Sequence, residues 1–169
     1  MKTVIITCNS AEFNLSPEEA AFSGLLVSLM EEEVEDTMVV PIDYLKETEC
    51  AEMVRVLSQL HLYQHELSNA VSCCIQAKWC ERVILKSVDP PTYLIFEQLL
   101  NLWKVFDFMA ILSAMNMVTG YISHHMLSCN TVEDVVEKWL GTANFEALPE
   151  SERSEIYFTI TKNFNFNNM

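Results

Sequence analysis

The sequence is poor in glycine and in positive charge, and it lacks a long unbroken hydrophobic run. Only three glycines occur, Gly24, Gly120 and Gly141, and none is near another. That excludes the glycine-rich turns that cradle phosphates in Walker and dinucleotide-binding motifs. Lys and Arg number 10 against 24 Asp and Glu, for a formal net charge of -14. Nucleic-acid backbones and anionic membranes both call for clustered Lys and Arg, so neither is expected as a partner. The Val4-Ile5-Ile6 run is shorter than the roughly 7–15 apolar residues of a signal peptide. The six cysteines (Cys8, Cys50, Cys73, Cys74, Cys80 and Cys129) are therefore expected as reduced thiols, in the cytoplasm and nucleus. Residues 108–132 hold no Asp, Glu, Lys or Arg, but Asn116, Thr119 and Gly120 interrupt the apolar part. A spanning helix needs about 20 mostly apolar residues, so a helix buried in a protein core is expected instead.

What is present is hydrophobic residue, half of the chain, which is far too much for a disordered acidic tail. The length suits one compact domain or two small ones. Residues 3–15 predict a hairpin: Thr3 to Thr7 is rich in β-branched residues, Asn9-Ser10-Ala11 suits a turn, and Glu12 to Leu15 alternates. Ser16-Pro17-Glu18-Glu19 predicts a helix start with a capping box, and Leu25, Leu26, Leu29 and Met30 form the buried stripe of that helix. The acidic run Glu31 to Asp36 reads as a solvated loop, and residues 1–45 carry one Lys against nine acids. A short strand over Met38-Val39-Val40 ends at Pro41, and a helix is expected over about 47–61. Residues 62–92 are less legible, with Asp89-Pro90-Pro91 breaking any helix. Helices resume from about Ile95 and again over about 110–127. Thr131 caps another helix, whose Val132, Val135, Val136, Trp139 and Leu140 keep helical spacing up to Gly141. A last helix is expected after Pro149, although Ile156 to Thr161 has strand-like propensity.

Few constellations suggest chemistry. His61 and His65 could share a helix face, with Cys73, Cys74 and Cys80 following, but the spacing fits no standard zinc pattern. No cysteine sits in a recognised nucleophile context, and His124 and His125 are adjacent, so they point to different helix faces. No metal, cofactor or catalytic residue is expected, and a zinc or thiol enzyme is the least favoured reading. The more informative feature is a C-terminal half rich in aromatics and methionine, which suits either core packing or a groove for a partner.

Taken in order, these segments resemble the Skp-type adaptors of SCF ubiquitin ligases, relatives of elongin C with a BTB/POZ fold. Val4 to Leu15 resembles that family's opening hairpin. Ser16 to Glu31 looks like its first helix, followed by an acidic loop and the strand ending at Pro41. Asp107-Phe108-Met109-Ala110-Ile111 is similar to its Asn-Tyr-Leu-Asp-Ile run, and Thr131-Val132-Glu133-Asp134 to its Thr-Pro-Glu-Glu. Phe145 fits the Phe before the family's final acidic helix. The resemblance implies an α+β fold, a small BTB/POZ-like sheet packed by helices over 1–127 with an F-box-binding helical extension over 128–169. It implies a non-catalytic adaptor between a cullin and F-box proteins, with a homodimer as a further option. Asp107 and Phe108 would face the cullin. Met115, Met117, Trp139, Leu140, Phe145, Ile156 and Phe158 would lie in the F-box-binding region. Asp107-Phe108 stands where the family has Asn-Tyr, which opens a second reading: a divergent paralogue in a structural assembly, without ligase function.

Overall fold

The computed structural model describes residues 3–32, 35–67, 72–86 and 92–163. The first strands form the expected hairpin. β1 (Thr3–Cys8) runs antiparallel to β2 (Ala11–Leu15), with Val4 opposite Leu15 and Cys8 opposite Ala11. Alternation sets its inner face: Val4, Ile6 and Cys8 are fully buried, and the residues between them are half-buried. Asn9 turns the chain at φ 52, a left-handed conformation that Asn tolerates well. β3 (Thr37–Pro41) pairs in parallel with β1, giving the sheet order β2-β1-β3. Pro41 lies at the end of an edge strand, where a missing N–H breaks no ladder.

The expected first helix is two helices. Ser16 caps α1 (Pro17–Ala20): its hydroxyl accepts from the Glu19 N–H, and the Glu19 carboxylate accepts from the Ser16 N–H at 2.8 Å. The chain then turns, and α2 (Gly24–Glu32) starts anew. The break is fixed by Ser23, fully buried, whose hydroxyl donates to the Met109 carbonyl at 2.6 Å and accepts from the Leu26 N–H. Of the expected stripe Leu26 is buried, while Leu25, Leu29 and Met30 are partly buried against the core. Glu31 and Glu32 belong to α2 rather than to a loop; residues 33 and 34 lie outside the described residues.

α3 (Glu47–Leu67) runs one and a half turns past the expected end, because Tyr63 and Leu67 continue the stripe of Cys50, Met53, Val56, Leu57 and Leu60. The poorly legible stretch holds α4 (Cys73–Trp79), capped by Ser72, and a π-helical continuation over Cys80–Leu85. Lys86 ends it at φ 57, and the Arg55 guanidinium donates to the Val83 and Ile84 carbonyls at 2.7 and 2.6 Å. Such a cap satisfies acceptors that a helix end leaves open. The Asp89-Pro90-Pro91 break lies outside the described residues.

α5 (Tyr93–Phe108) and α6 (Leu112–Leu127) are joined by a tight turn with Ala110 at φ 52, which delays the second helix by two residues. Thr131 caps α7 (Val132–Trp139) with Asp134 closing the capping box. Gly141, at φ 75, terminates it, and a Cβ there would sit 2.7 Å from the Tyr93 ring. α8 (Thr142–Glu146) and α9 (Glu150–Asn163) follow. Ile156 to Thr161 is helical, not extended: β-branched propensity loses here to the period of the surrounding helix.

The fold is α+β, a small three-stranded mixed sheet packed by helices, as expected. One hydrophobic core runs from Val4 through Phe96, Phe106 and Tyr121 to Val135. The expected boundary at 127/128 falls in the turn between α6 and α7, and Cys129 and Val135 beyond it join the same core. Among the described residues no helix is long and apolar enough to cross a membrane.

Candidate interaction site

The C-terminal helices do not close on each other. α7 and α9, with the last turns of α6, bound an open cleft of about 940 Å³. Its floor and walls are apolar: Ile122, Met126 and Leu127 from α6, Val135, Val136, Trp139 and Leu140 from α7, Ile156 and Ile160 from α9. Glu152 and Glu155 bring carboxylates to one side.

α9 explains why the cleft stays open. None of its residues is buried. Its contacts include Tyr157, packed edge-on against Phe145 with ring centroids 5.3 Å apart, the Tyr157 hydroxyl donating to Glu133 at 3.4 Å, and Ile160 on the core. Burial, then Glu133, pushes the Tyr157 phenol up, so it remains a donor at neutral pH. Trp139 is 37 % exposed at the cleft while its ring packs on Phe96 at 5.8 Å. A large aromatic is thus presented to the cleft by a core contact that fixes it.

The residues proposed for F-box binding are only partly brought together here. Trp139, Leu140 and Ile156 line the cleft. Phe145 is buried and supports Tyr157 from behind. Met117 is buried in the core and Met115 packs against that core, both away from the cleft lining. Phe158 lies on α9 at 68 % exposure, also outside the lining. Sequence reasoning missed Ile122, Met126 and Leu127, and the Glu152, Glu155, Thr159 and Asn163 side of α9. The signal was available. Positions 152, 155/156, 159/160 and 163 keep helical spacing, which the strand-like composition of 156–161 obscured.

Asp107 and Phe108 end α5, a separate surface. Both are exposed, and Phe108 packs edge-on with Tyr44 at 4.5 Å. The turn beneath them is anchored: Met109 and Ile111 are fully buried, and the Gly24 N–H donates to the Ala110 carbonyl at 3.1 Å. Exposed Val39 and Leu112 are among the other large apolar side chains of the molecule.

The histidine and cysteine cluster gives no metal centre. Among the described residues no group of three or more His, Cys, Asp or Glu side chains is placed to hold an ion. Cys73 and Cys74 are exposed, whereas Cys80 is buried and its thiol is pushed far up by that burial. A thiol so held makes a poor nucleophile at neutral pH.

No protein-family model matches the chain, and no curated protein matches it.

Proposed function

We propose that this chain is a non-catalytic adaptor of the Skp type, joining an F-box substrate receptor to a cullin scaffold in an SCF-type ubiquitin ligase of the cytoplasm and nucleus. The observation that carries the reading is the open apolar cleft presenting Trp139, Leu140 and Ile156. A groove of this lining buries the apolar stripe of an amphipathic helix, and a few aromatic anchors dominate such affinity. The colinear order of hairpin, capped helix, parallel third strand and C-terminal helices supports it further. The second surface, Asp107 and Phe108 beside Tyr44, is the cullin-facing candidate.

That surface also favours a second reading. Phe108 already packs edge-on with Tyr44 while staying half exposed, and Asp107-Phe108 replaces the family's Asn-Tyr. A structural subunit that binds F-box-type helices without a cullin fits these two facts. Co-purification decides between them: an F-box protein together with a cullin supports the ligase adaptor. An F-box protein alone supports the assembly subunit, and neither partner removes both.

A further inference from the structure

The last turns of α3 meet the end of α4 in an aromatic corner that shares no residue with the cleft lining or with the Tyr44–Phe108 contact. Tyr63 on α3 and Trp79 on α4 pack together, ring centroids 5.6 Å apart and planes inclined at 48°. Both rings are partly buried against the hydrophobic core, so the core fixes them and not the group they share. That group is the Arg82 guanidinium of the π-helical stretch, 4.1 Å from the Tyr63 centroid and 5.1 Å from that of Trp79. The three separations are of similar size, so the rings form two adjoining walls beside a cation rather than the two sides of a sandwich. The Glu66 carboxylate, also on α3, faces the same guanidinium at 3.4 Å.

Arg82 is an imperfect fit to this corner. A planar guanidinium stacks flat on an aromatic face, and with the planes at 48° it cannot lie flat on both rings. It sits closer to Tyr63 and stands off Trp79. Its contact with Glu66 is long, whereas Arg55, earlier on α3, reaches its two carbonyl partners at 2.7 and 2.6 Å. The Arg82 and Glu66 side chains keep 50 % and 59 % exposure, a setting in which an ion pair adds little. A rounded cation without N–H groups suits the corner better, because it touches both walls in any orientation and leaves no donor unpaired. Aromatic walls are the recognition chemistry of quaternary ammonium groups, and Glu66 supplies the opposite charge.

We propose that Tyr63, Trp79 and Glu66 form a binding site for a quaternary ammonium group, either a trimethyllysine side chain or a choline-type small cation, which Arg82 occupies until it is displaced. Arg82 is a resident competitor: the apparent affinity is lowered by the fraction of molecules in which it holds the corner.

The test follows the Trp79 indole N–H by heteronuclear NMR in the full chain, assigned apart from Trp103 and Trp139. A capped glycine–trimethyllysine–glycine peptide should shift it saturably. The Arg82→Ala chain should bind that peptide about three- to tenfold tighter, matching the removal of one exposed cation–π contact and one exposed ion pair. The same peptide with unmethylated lysine, or with a neutral tert-butyl group in place of the trimethylammonium, should bind at least several-fold weaker. Tyr63→Leu keeps an apolar side chain on the core but removes one wall, and should weaken binding in a chain that still melts cooperatively. Glu66→Gln should weaken the trimethyllysine peptide and leave the neutral one unchanged. Choline and tetramethylammonium separate the two sources: affinity equal to that of the peptide assigns a free small cation, and tighter binding of the peptide assigns a polypeptide side chain. The absence of a saturable shift with all three quaternary cations, or equal binding of the neutral peptide, overturns the site. Unchanged or weaker binding by a folded Arg82→Ala chain overturns the competition.

Discussion

The Ser23 hydroxyl donates to the carbonyl of Met109, 86 residues away, at 2.6 Å and with no solvent at either group. One hydrogen bond thereby ties the break between α1 and α2 to the turn between α5 and α6, where Asp107 and Phe108 are presented. Ser23→Ala removes the donor, while the Leu25 N–H still reaches the same carbonyl at 3.4 Å. The expected loss is about 1 kcal/mol of stability, near the usual net value of a buried hydrogen bond. For a chain of this size that lowers the melting temperature by roughly 2–4 °C. Calorimetry measures it, and an unchanged melting point would deny the tie its role.

Gly120 sets the approach of α4 to α6. A Cβ at this position would lie 2.3 Å from the Gln76 Cβ and 3.3 Å from the Cys73 carbonyl oxygen. A Cβ is the stiff base of a side chain, so a helix must move. Gly120→Ala should cost about 1–3 kcal/mol, the usual range for overpacking, despite the better helix propensity of Ala. Urea denaturation reads the shift in midpoint.

How much of this was legible in the sequence depends on which signal was local. The capping box at Ser16, the cap at Thr131, the hairpin at Asn9 and the stop at Gly141 are written in adjacent residues, and each appears as expected. Ser23 was half legible: the Ser23-Gly24 dipeptide is a local turn signal, but the partner that fixes the break is 86 residues distant. The π-helical stretch depends on Arg55, 28 residues before Val83, to donate to its end carbonyls, and no local pattern announces that. The cleft was half legible. Trp139, Leu140 and Ile156 stood out as large apolar residues, whereas Met115 and Met117 face the core because α6 packs its opposite side inward.

Stability should fall in acid through His125. Its ring lies against Tyr121, 4.3 Å between centroids, with its Nε2 buried and unpartnered and Glu81 on the π-helical stretch 4.0 Å away. Burial lowers its pKa below 6.5, with His124 on α6 and Lys138 on α7 adding to this. The unfolded chain then takes up the proton first as pH drops through about 6.5, so unfolding gains a proton and stability declines until the folded group also titrates. His125→Gln should flatten that part of the pH–stability curve. The Glu19 carboxyl acts at lower pH: burial raises it, but bonds from Ser58 and Ser16 outweigh this and hold it below 4.5. Its share of stability disappears as pH falls through the carboxylate range, which Glu19→Gln would remove. Denaturant midpoints from pH 8 to pH 3 separate the two windows.

Cleft binding should split into an apolar part and a charged part. Ile156 lines the cleft on a helix with no buried residue, so Ile156→Ala should leave stability nearly unchanged and still weaken a bound helix. Trp139→Ala should weaken it more, by about 2–4 kcal/mol as for other aromatic anchors, with some loss of stability through the Phe96 contact. Glu152 and Glu155 lie on one rim, in a protein of net charge -14, so a partner helix flanked by Lys or Arg is steered in. Glu152→Lys with Glu155→Lys should slow association and flatten its salt dependence, with a smaller effect on dissociation, because rim charges act mainly on encounter. Phe108→Lys lies on the other surface and should leave both rates unchanged while reducing capture of a cullin. Surface plasmon resonance with an immobilised F-box helix resolves the rates; equal loss for Ile156→Ala and Phe108→Lys would show that the two surfaces are not separate.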